Sequence, residues 1–517
     1  MDVPPPTHAS LLDDSAGQVA ANPVSRSRWH TLYAHYTEAA DASAKARVRQ
    51  RLLAQVAAGG VAGYFRATFL AAVTGEAAYT SQAAQIALKL KPFDAERLAS
   101  LVHLEWGCAV AAERSHHGFV QRLRAARLPA LIRCLGDALE RSAGATLAAR
   151  PVSAPRRVAL LANYLGGSSH PPTVMAISHA ALLQAQGVEV RLFSCQEIDL
   201  PAQNDYAGHP LGVLLPSVTP AQLGAMVPQG LTVTLSDARF SLMRRWRDML
   251  AQIALYDPDL VLFVGFCSPL LAPLYAARPV LGLCVHGVPP LAPVDCWLAS
   301  DRARHGIDSQ DWGSSLPPAR GYHYPFRTLM QAPGPPAPRT PGRTVLLTVG
   351  ARLVTEIDGD WAARMVELLR RDSSLVWLLV GGAGALPPAL AGVPPAQLQL
   401  LAHRQPVDAV FAQADIYLNP ARLGGGISVA EAMAAGLPVL ALDGSDGGHK
   451  LGELGQASQE AYFTELAALI ADPARRRRMG AAMRERYVRT LDLAQAGPAL
   501  LTAAAAAIAR FGHRKRD

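Results

Sequence analysis

Apolar residues recur along this chain at two different periods. From Arg28 to about Ser142 they recur every three or four positions with charges opposite, as in ARVRQRLLAQVAAG and FVQRLRAARLPALIRCLGDALERS. That spacing predicts amphipathic helices, and no alternation of period two interrupts them. After AARPVSAPRR (148–157) the pattern changes. Short continuous apolar runs follow: RVALLANYL, VEVRLFSC, DLVLFVGF (259–266), PVLGLCVHG (279–287) and VDCWLAS (294–300), with the helical TVMAISHAALLQAQG between the first two. A second Pro-rich segment, MQAPGPPAPRTPGR (330–343), precedes another set of the same kind. There TVLLTVG, LVWLLVGG, LQLLA, ADIYLNP and LPVLAL read as strands, with WAARMVELLRR and SVAEAMAAG as helices. Near-continuous apolar strands alternating with helices predict parallel sheets covered on both faces.

The expected organisation is therefore α/β: two doubly wound, Rossmann-like domains facing a cleft, preceded by an all-helical domain. Residues 1–27, Pro-rich, small and polar, are expected to be disordered. The helical domain is placed at 28–147, the first α/β domain at 155–330 and the second at 343–490, followed by a terminal helix at 491–510 and a basic tail at 511–517. A faint helical-hairpin repeat, YTSQAAQIALKLKPFDAERLASLVHLEW, occurs once and defines no array. Two such α/β domains leave a crevice between the carboxyl ends of their strands, where ligands bind.

Half of the 517 residues are hydrophobic and 17% charged, which excludes wholesale disorder. The net charge of +8 is partly local, in Arg475–Arg478 and in Arg514, Lys515 and Arg516. It reads as solvated surface, leaving peripheral attraction to anionic membranes open; no aromatic-interleaved basic motif points to nucleic acid. The six cysteines form no C-x-x-C pair and read as free thiols of a reducing compartment. No signal peptide and no run of about 20 apolar residues is visible, so a soluble, cytoplasmic protein is expected.

The stretch NPARLGGGISVAEAMAAGLPV (419–439) sits between a strand and a helix. Gly424, Gly425 and Gly426 allow positive φ and close approach of backbone to a ligand. The helix start near Ile427 and Ser428 offers unpaired N–H groups and a positive dipole end, which suits a diphosphate. Glu431, about one turn further in, is placed to accept from a ribose diol. A plain strand–helix turn with Glu431 on a solvated face is the competing reading. The loop is neither a P-loop nor G-x-G-x-x-G.

This stretch resembles the nucleotide-sugar site of GT-B glycosyltransferases, above all the large retaining family 4 (group 1). The resemblance implies that Glu431 binds the donor ribose and that Arg352, in TVGARLVTE, contacts the donor diphosphate. DPARRRRMGAAMRERY is similar to the helices that close the family's C-terminal domain. Two positions depart from the pattern: Leu423 stands where the family places an acid facing the donor sugar, and Ile357 where it places a lysine. Arg422 and Lys450 are candidates to replace that lysine. In the first α/β domain, Gly166, Gly167 and His170 in NYLGGSSHPP resemble the family's loop over the donor phosphates. His170 and His286, the latter in LCVHGVPP, are the candidate catalytic residues. His170 also reads as a loop residue ahead of a helix, and His179 as packed core. The segment VDCWLASDRARHGIDSQDWGSSLPP is similar to protein O-GlcNAc transferases and their bacterial N-glycosyltransferase relatives, which also carry N-terminal helical domains.

The expected activity is transfer of a hexose from a UDP- or GDP-linked donor to a protein or glycan acceptor. It is expected to use no metal: there is no His/Cys cluster. The alternative, suggested by the lost acid and lost lysine, is an inactive GT-B-like protein that binds a partner through its helices. The helical domain is expected to recognise the acceptor and to take no part in chemistry.

Overall fold

The computed structural model describes residues 8–54, 59–142, 147–167, 170–198, 218, 220–326, 342–381, 386–402 and 408–515. Helices come first: α1 (His8–Ala21), α2 (Arg26–Glu38), α3 (Ala42–Ala54), α4 (Gly60–Thr74), α5 (Ala77–Ala87), α6 (Ala95–Ala112), α7 (His116–Ala125) and α8 (Leu128–Ser142). Their apolar stripes turn inward; in α8, Leu128, Leu131, Ile132, Leu135 and Leu139 are buried at helical spacing. Side chains cap two starts: Asp94 accepts from the Arg97 amide at α6, and Ser115 from the Gly118 amide at α7.

The expected disorder of residues 1–27 is corrected over 8–21 and at the start of α2: Leu12, Ala16 and Val19 of α1 are buried, although small and polar neighbours mask that stripe in the sequence. Residues 1–7 lie outside the described residues.

A first sheet is built from β1 (Arg157–Ala162), β2 (Glu189–Ser194), β3 (Thr232–Leu235), β4 (Leu260–Val264), β5 (Val280–Leu283), β6 (Cys296–Ala299), β7 (Asp308–Ser309) and β8 (Ala319–His323). Between them run α9 (Pro171–Ala185), α10 (Pro220–Met226), α11 (Leu242–Tyr256) and α12 (Leu271–Ala277). The order is β3-β2-β1-β4-β5-β6-β8-β7, parallel except for β7 on β8. The second sheet, β11-β10-β9-β12-β13, is parallel throughout. It comprises β9 (Thr344–Val349), β10 (Leu375–Val380), β11 (Leu398–Leu401), β12 (Ile416–Leu418) and β13 (Val439–Leu440). Its helices are α13 (Leu353–Glu356), α14 (Gly359–Arg371), α15 (Asp408–Phe411), α16 (Gly426–Ala434), α17 (Asp446–Leu451), α18 (Gln459–Ala471) and α19 (Pro473–Thr490), followed by α20 (Gly497–Arg514).

The chain order of strands reverses between β1 and β4 in one sheet and between β9 and β12 in the other. A doubly wound sheet leaves its ligand crevice at that switch point. The loops after β1, β9 and β12 carry Gly166 to His170, Gly350 to Arg352 and Asn419 to Gly426, so the topology alone gathers the candidate residues.

The core of the helical region is continuous with that of the first sheet through α11 and α12. Its buried residues form one cluster with Ala159, Leu161, Phe193, Val261 and Phe263 on one face of the first sheet. The opposite face, Val158, Leu160, Leu192 and Leu262, is covered by α9 and by Leu500, Ala503, Ala504 and Ala507 of α20. The expected basic tail is likewise corrected over its described part. Helix α20 runs on to Arg514, whose guanidinium pairs with Asp295 at 2.7 Å and lies 3.5 Å from the Tyr275 ring centroid. No single helix among the described residues is long and apolar enough to cross a membrane.

Candidate functional site

Arg352 ends the turn after β9, and two guanidiniums share one carboxylate there. Glu356 Oε1 accepts from Arg352 Nη2 at 2.8 Å and Oε2 from Arg422 Nη1 at 2.9 Å. Burial pushes the Glu356 carboxyl up, but Arg422 and then Arg352 bring it below its ordinary value. The cluster therefore carries one net positive charge. Arg422 is fully engaged: Nε donates to Asn419 Oδ1 at 2.9 Å and Nη2 to the Val349 carbonyl at 2.8 Å, with a side chain only 2% exposed. Arg352 is the solvent-side member, 28% exposed, with Nη2 also donating to the Leu423 carbonyl at 3.1 Å. Lys450 is buried and donates from Nζ to the Pro325 carbonyl at 3.0 Å. Both candidates for the missing lysine thus serve the fold, and Ile357 is packed in the apolar core of the second sheet.

The glycine loop follows β12. Gly424 and Gly425 adopt φ of 90° and 79°, the left-handed region that favours glycine. A Cβ on Gly425 would also lie 2.5 Å from Asn419 Oδ1 and 2.7 Å from Arg422 Nε, and one on Gly426 would overlap the Asp446 carboxylate. Gly425 caps α16, and the Ser428 hydroxyl donates to the Gly425 carbonyl at 3.0 Å while accepting from Tyr417 Oη at 2.8 Å. Ser428 therefore braces the loop. Glu431 is half-buried one turn into α16. Its charge helps to raise the Tyr487 phenol, after burial and Asp492. Leu423 is buried in the apolar cluster that joins the helical region to the first sheet.

Across the cleft, the loop after β1 is tightly folded. The Gly166 amide donates to Thr173 Oγ1 at 2.7 Å, and His170 Nδ1 lies 2.7 Å from the same hydroxyl. A Cβ on Gly166 would lie 2.9 Å from His170 Cβ, whereas Gly167 has open space about it. Burial pushes the His170 imidazole down to about 4, so it is neutral at pH 7. It heads α9 without a side-chain cap bond. Residues 168 and 169 lie outside the described residues.

His286, after β5, is held differently. Its Nε2 accepts from Trp106 Nε1 of α6 at 2.8 Å, and since an indole N–H only donates, the ring is neutral with its proton on Nδ1. Phe119 and Phe266 pack on it at centroid distances of 5.2 and 5.8 Å. Burial, followed by the Arg352 charge, pushes it down to about 3. His179 bonds the Met175 carbonyl and Tyr324 in the core of the first sheet.

Sequence reasoning missed four members of this junction. Asp446, buried, takes the Ser300 hydroxyl at 3.3 Å and Lys450 Nζ at 3.7 Å. Asn419 is fully buried. Arg114, between α6 and α7, donates to the Thr355 carbonyl at 2.7 Å and to Asp358 at 2.9 Å, which ties the helices to the Arg352 loop. His116 begins α7. The only signal for Asp446 was the polar, Gly-rich DGSDGGHK after β13; Arg114 and His116 gave none, because charges on helices are usually solvated. No group of His, Cys, Asp and Glu among the described residues could hold a metal ion.

Residues 343–472 match the family model described as Glycosyl transferases group 1. A mutant O-GlcNAc transferase from Thermobaculum terrenum is similar over 99% of this chain and 100% of its own, at 16% identity and a TM-score of 0.55. That likeness shows the fold, GT-B preceded by helices. TarM (7% identity, 67% of this chain and 98% of that one, TM-score 0.47) and a glycosyltransferase from Rickettsia africae ESF-5 (12% identity, 67% and 97%, TM-score 0.44) are more distant. No curated protein sequence matches.

Proposed function

We propose that this protein is a glycosyltransferase that moves a hexose from a UDP- or GDP-linked donor to a protein or glycan acceptor. The observation that carries the reading is Arg352. It is the solvent-side cation of a cluster with one net positive charge, held beside the N-terminus of α16, where Gly424 and Gly425 open the backbone. A diphosphate leaving group gains stabilisation from such a guanidinium together with helix N-terminal amides, so the reading requires no protein-bound metal. Glu431 takes the ribose diol and the neutral His170, with Nδ1 beside Thr173, serves as proton acceptor. His286 positions through Trp106; the reading assigns it no proton transfer.

Calorimetry with UDP, GDP and inorganic pyrophosphate tests this. Arg352→Ala should weaken both nucleotides by about 1.5–3 kcal/mol without loss of fold. Glu431→Gln should weaken nucleotides and leave pyrophosphate unchanged. Unaltered nucleotide affinity in Arg352→Ala would remove the diphosphate assignment.

A second reading, a GT-B-like protein that binds a partner without turnover, draws on Leu423: the position facing the donor sugar in the resembled family is here buried in apolar contact. Nucleotide binding with no transfer or donor hydrolysis across a panel of UDP- and GDP-sugars would favour it.

A further inference from the structure

His116 is an imidazole at the junction to which the proposed chemistry assigns no role. Its Nε2 is buried and has no hydrogen-bond partner among the described residues. A buried ring nitrogen left so costs free energy unless something else meets it.

The surroundings say where that nitrogen sits. Gly287, directly after His286, has φ +67°, and a Cβ there would lie 2.7 Å from His116 Cε1 and 2.8 Å from Nε2. The glycine thus makes room for the imidazole. The same point is 3.5 Å from Ser300 Oγ, whose hydroxyl reaches Asp446 at 3.3 Å. The Asp446 carboxylate in turn abuts Gly426, the first residue of α16. On the far side the ring faces His449 of α17 at 5.5 Å between centroids. His116 is therefore separated from the glycine loop by one short chain of side chains. It lies at the carboxyl ends of β5 and β6, where the two sheets face each other.

The corner that carries it is fixed at both ends. Trp106 holds it to His286 of the first sheet, and Arg114 holds it to Thr355 and Asp358 beside the Arg352 loop. Burial pushes the His116 imidazole down to about 4, with Asp446 working against that shift. It is neutral at pH 7, and its Nε2 can donate or accept according to tautomer.

We propose that His116 is a donor-site residue supplied by the helical region: its Nε2 hydrogen-bonds the sugar-diphosphate end of the nucleotide sugar. The inference rests on the glycosyltransferase reading above, and it revises the expectation that the helices take no part at the site. It also gives the helices a role for which acceptor recognition is not needed.

The test uses the full chain, with His116→Phe, which keeps a ring in the space and removes its hydrogen bonding, and His116→Gln, which restores it. Calorimetry with UDP-, GDP- and ADP-hexoses, and with pyrophosphate, is paired with thermal melts. We expect His116→Phe to bind the preferred sugar nucleotide about three- to tenfold more weakly, and His116→Gln to recover most of that loss. If Nε2 serves no ligand, His116→Phe should bind as the unaltered protein does and melt higher, because an unpartnered polar atom has been removed; that result overturns the inference and leaves the glycosyltransferase reading standing. If His116→Phe does not fold, His116→Ala is judged by the same affinity criterion. If the unaltered protein binds none of the panel, the parent reading falls and this inference with it.

Discussion

The two sheets share one strand order, β3-β2-β1-β4-β5 and β11-β10-β9-β12-β13, but are clad from different sources. The second is covered by helices of its own stretch of chain: α14 and α18 bury Trp361, Met365, Tyr462 and Leu466 on one face, and α16 and α19 bury Val429, Met433, Met483 and Tyr487 on the other. The first has its own α11 and α12 on one face, with the preceding α6 and α8 packed on those helices, and takes part of the other face's cover from α20, which follows the second half in the chain. A doubly wound sheet needs both faces covered, yet the chain need not supply the cover locally. The N-terminal helices are thus part of the first half's core, and an account of them as an appended recognition module is incomplete.

The largest effect should come from breaking that shared core. Removing residues 1–147 exposes the apolar surface of α11 and α12 on which α6 and α8 pack, so the remainder should bind hydrophobic dye and lose near-ultraviolet dichroism from the first half. A truncated chain with a cooperative melt at the full-length temperature would restore the appended-module view.

A buried carboxyl in each half sharpens the contrast. Glu356 is held below its ordinary value by two arginines despite burial. Glu197, beyond β2, takes Trp246 Nε1 at 2.9 Å and Ser268 Oγ at 2.7 Å, and burial pushes it up from 4.5 to about 7. A raised carboxyl contributes stability that is complete below pH 4.5 and lost as pH rises through about 7; a lowered one contributes above its unfolded value and is lost as pH falls. The first half should therefore weaken between about pH 4.5 and 7, by on the order of 3 kcal/mol, whereas the second weakens only in acid. Thermal melts of Glu197→Gln across pH 5 to 8 should be flat where the unaltered protein declines; parallel curves would refute the assignment.

The smallest effect belongs to the strut between halves. The Arg114–Asp358 pair is solvent-exposed on its Asp358 side, so Arg114→Ala should cost only about 0.2–1 kcal/mol in a denaturant melt. A larger loss would mean that the halves are coupled through the α6–α7 corner more strongly than its geometry implies.

Much of this was legible in the sequence because it is periodic. Continuous apolar runs marked both sheets, and the positive φ at Gly424 and Gly425 follows from residue type. What was not legible depends on distant partners. Nothing in LCVHGVPP says that Trp106, far earlier in the chain, will donate to His286, and Leu423 read as a lost acid until its burial against the helical cluster was seen. Arg422 looked like a spare cation, yet three buried acceptors, at the end of β9, in α13 and after β12, use it. Helix α1 was hidden because Ala and Ser do not announce a buried face.

Helix α20 has a consequence for biosynthesis. The ribosome finishes β8 at His323 but does not reach Gly497 until about ten to thirty seconds later at ordinary elongation rates. Throughout that interval the nascent first half shows water, or a chaperone, the apolar surface that Leu500, Ala503, Ala504 and Ala507 will later seal. The second half, clad by neighbours in sequence, waits for no such late partner.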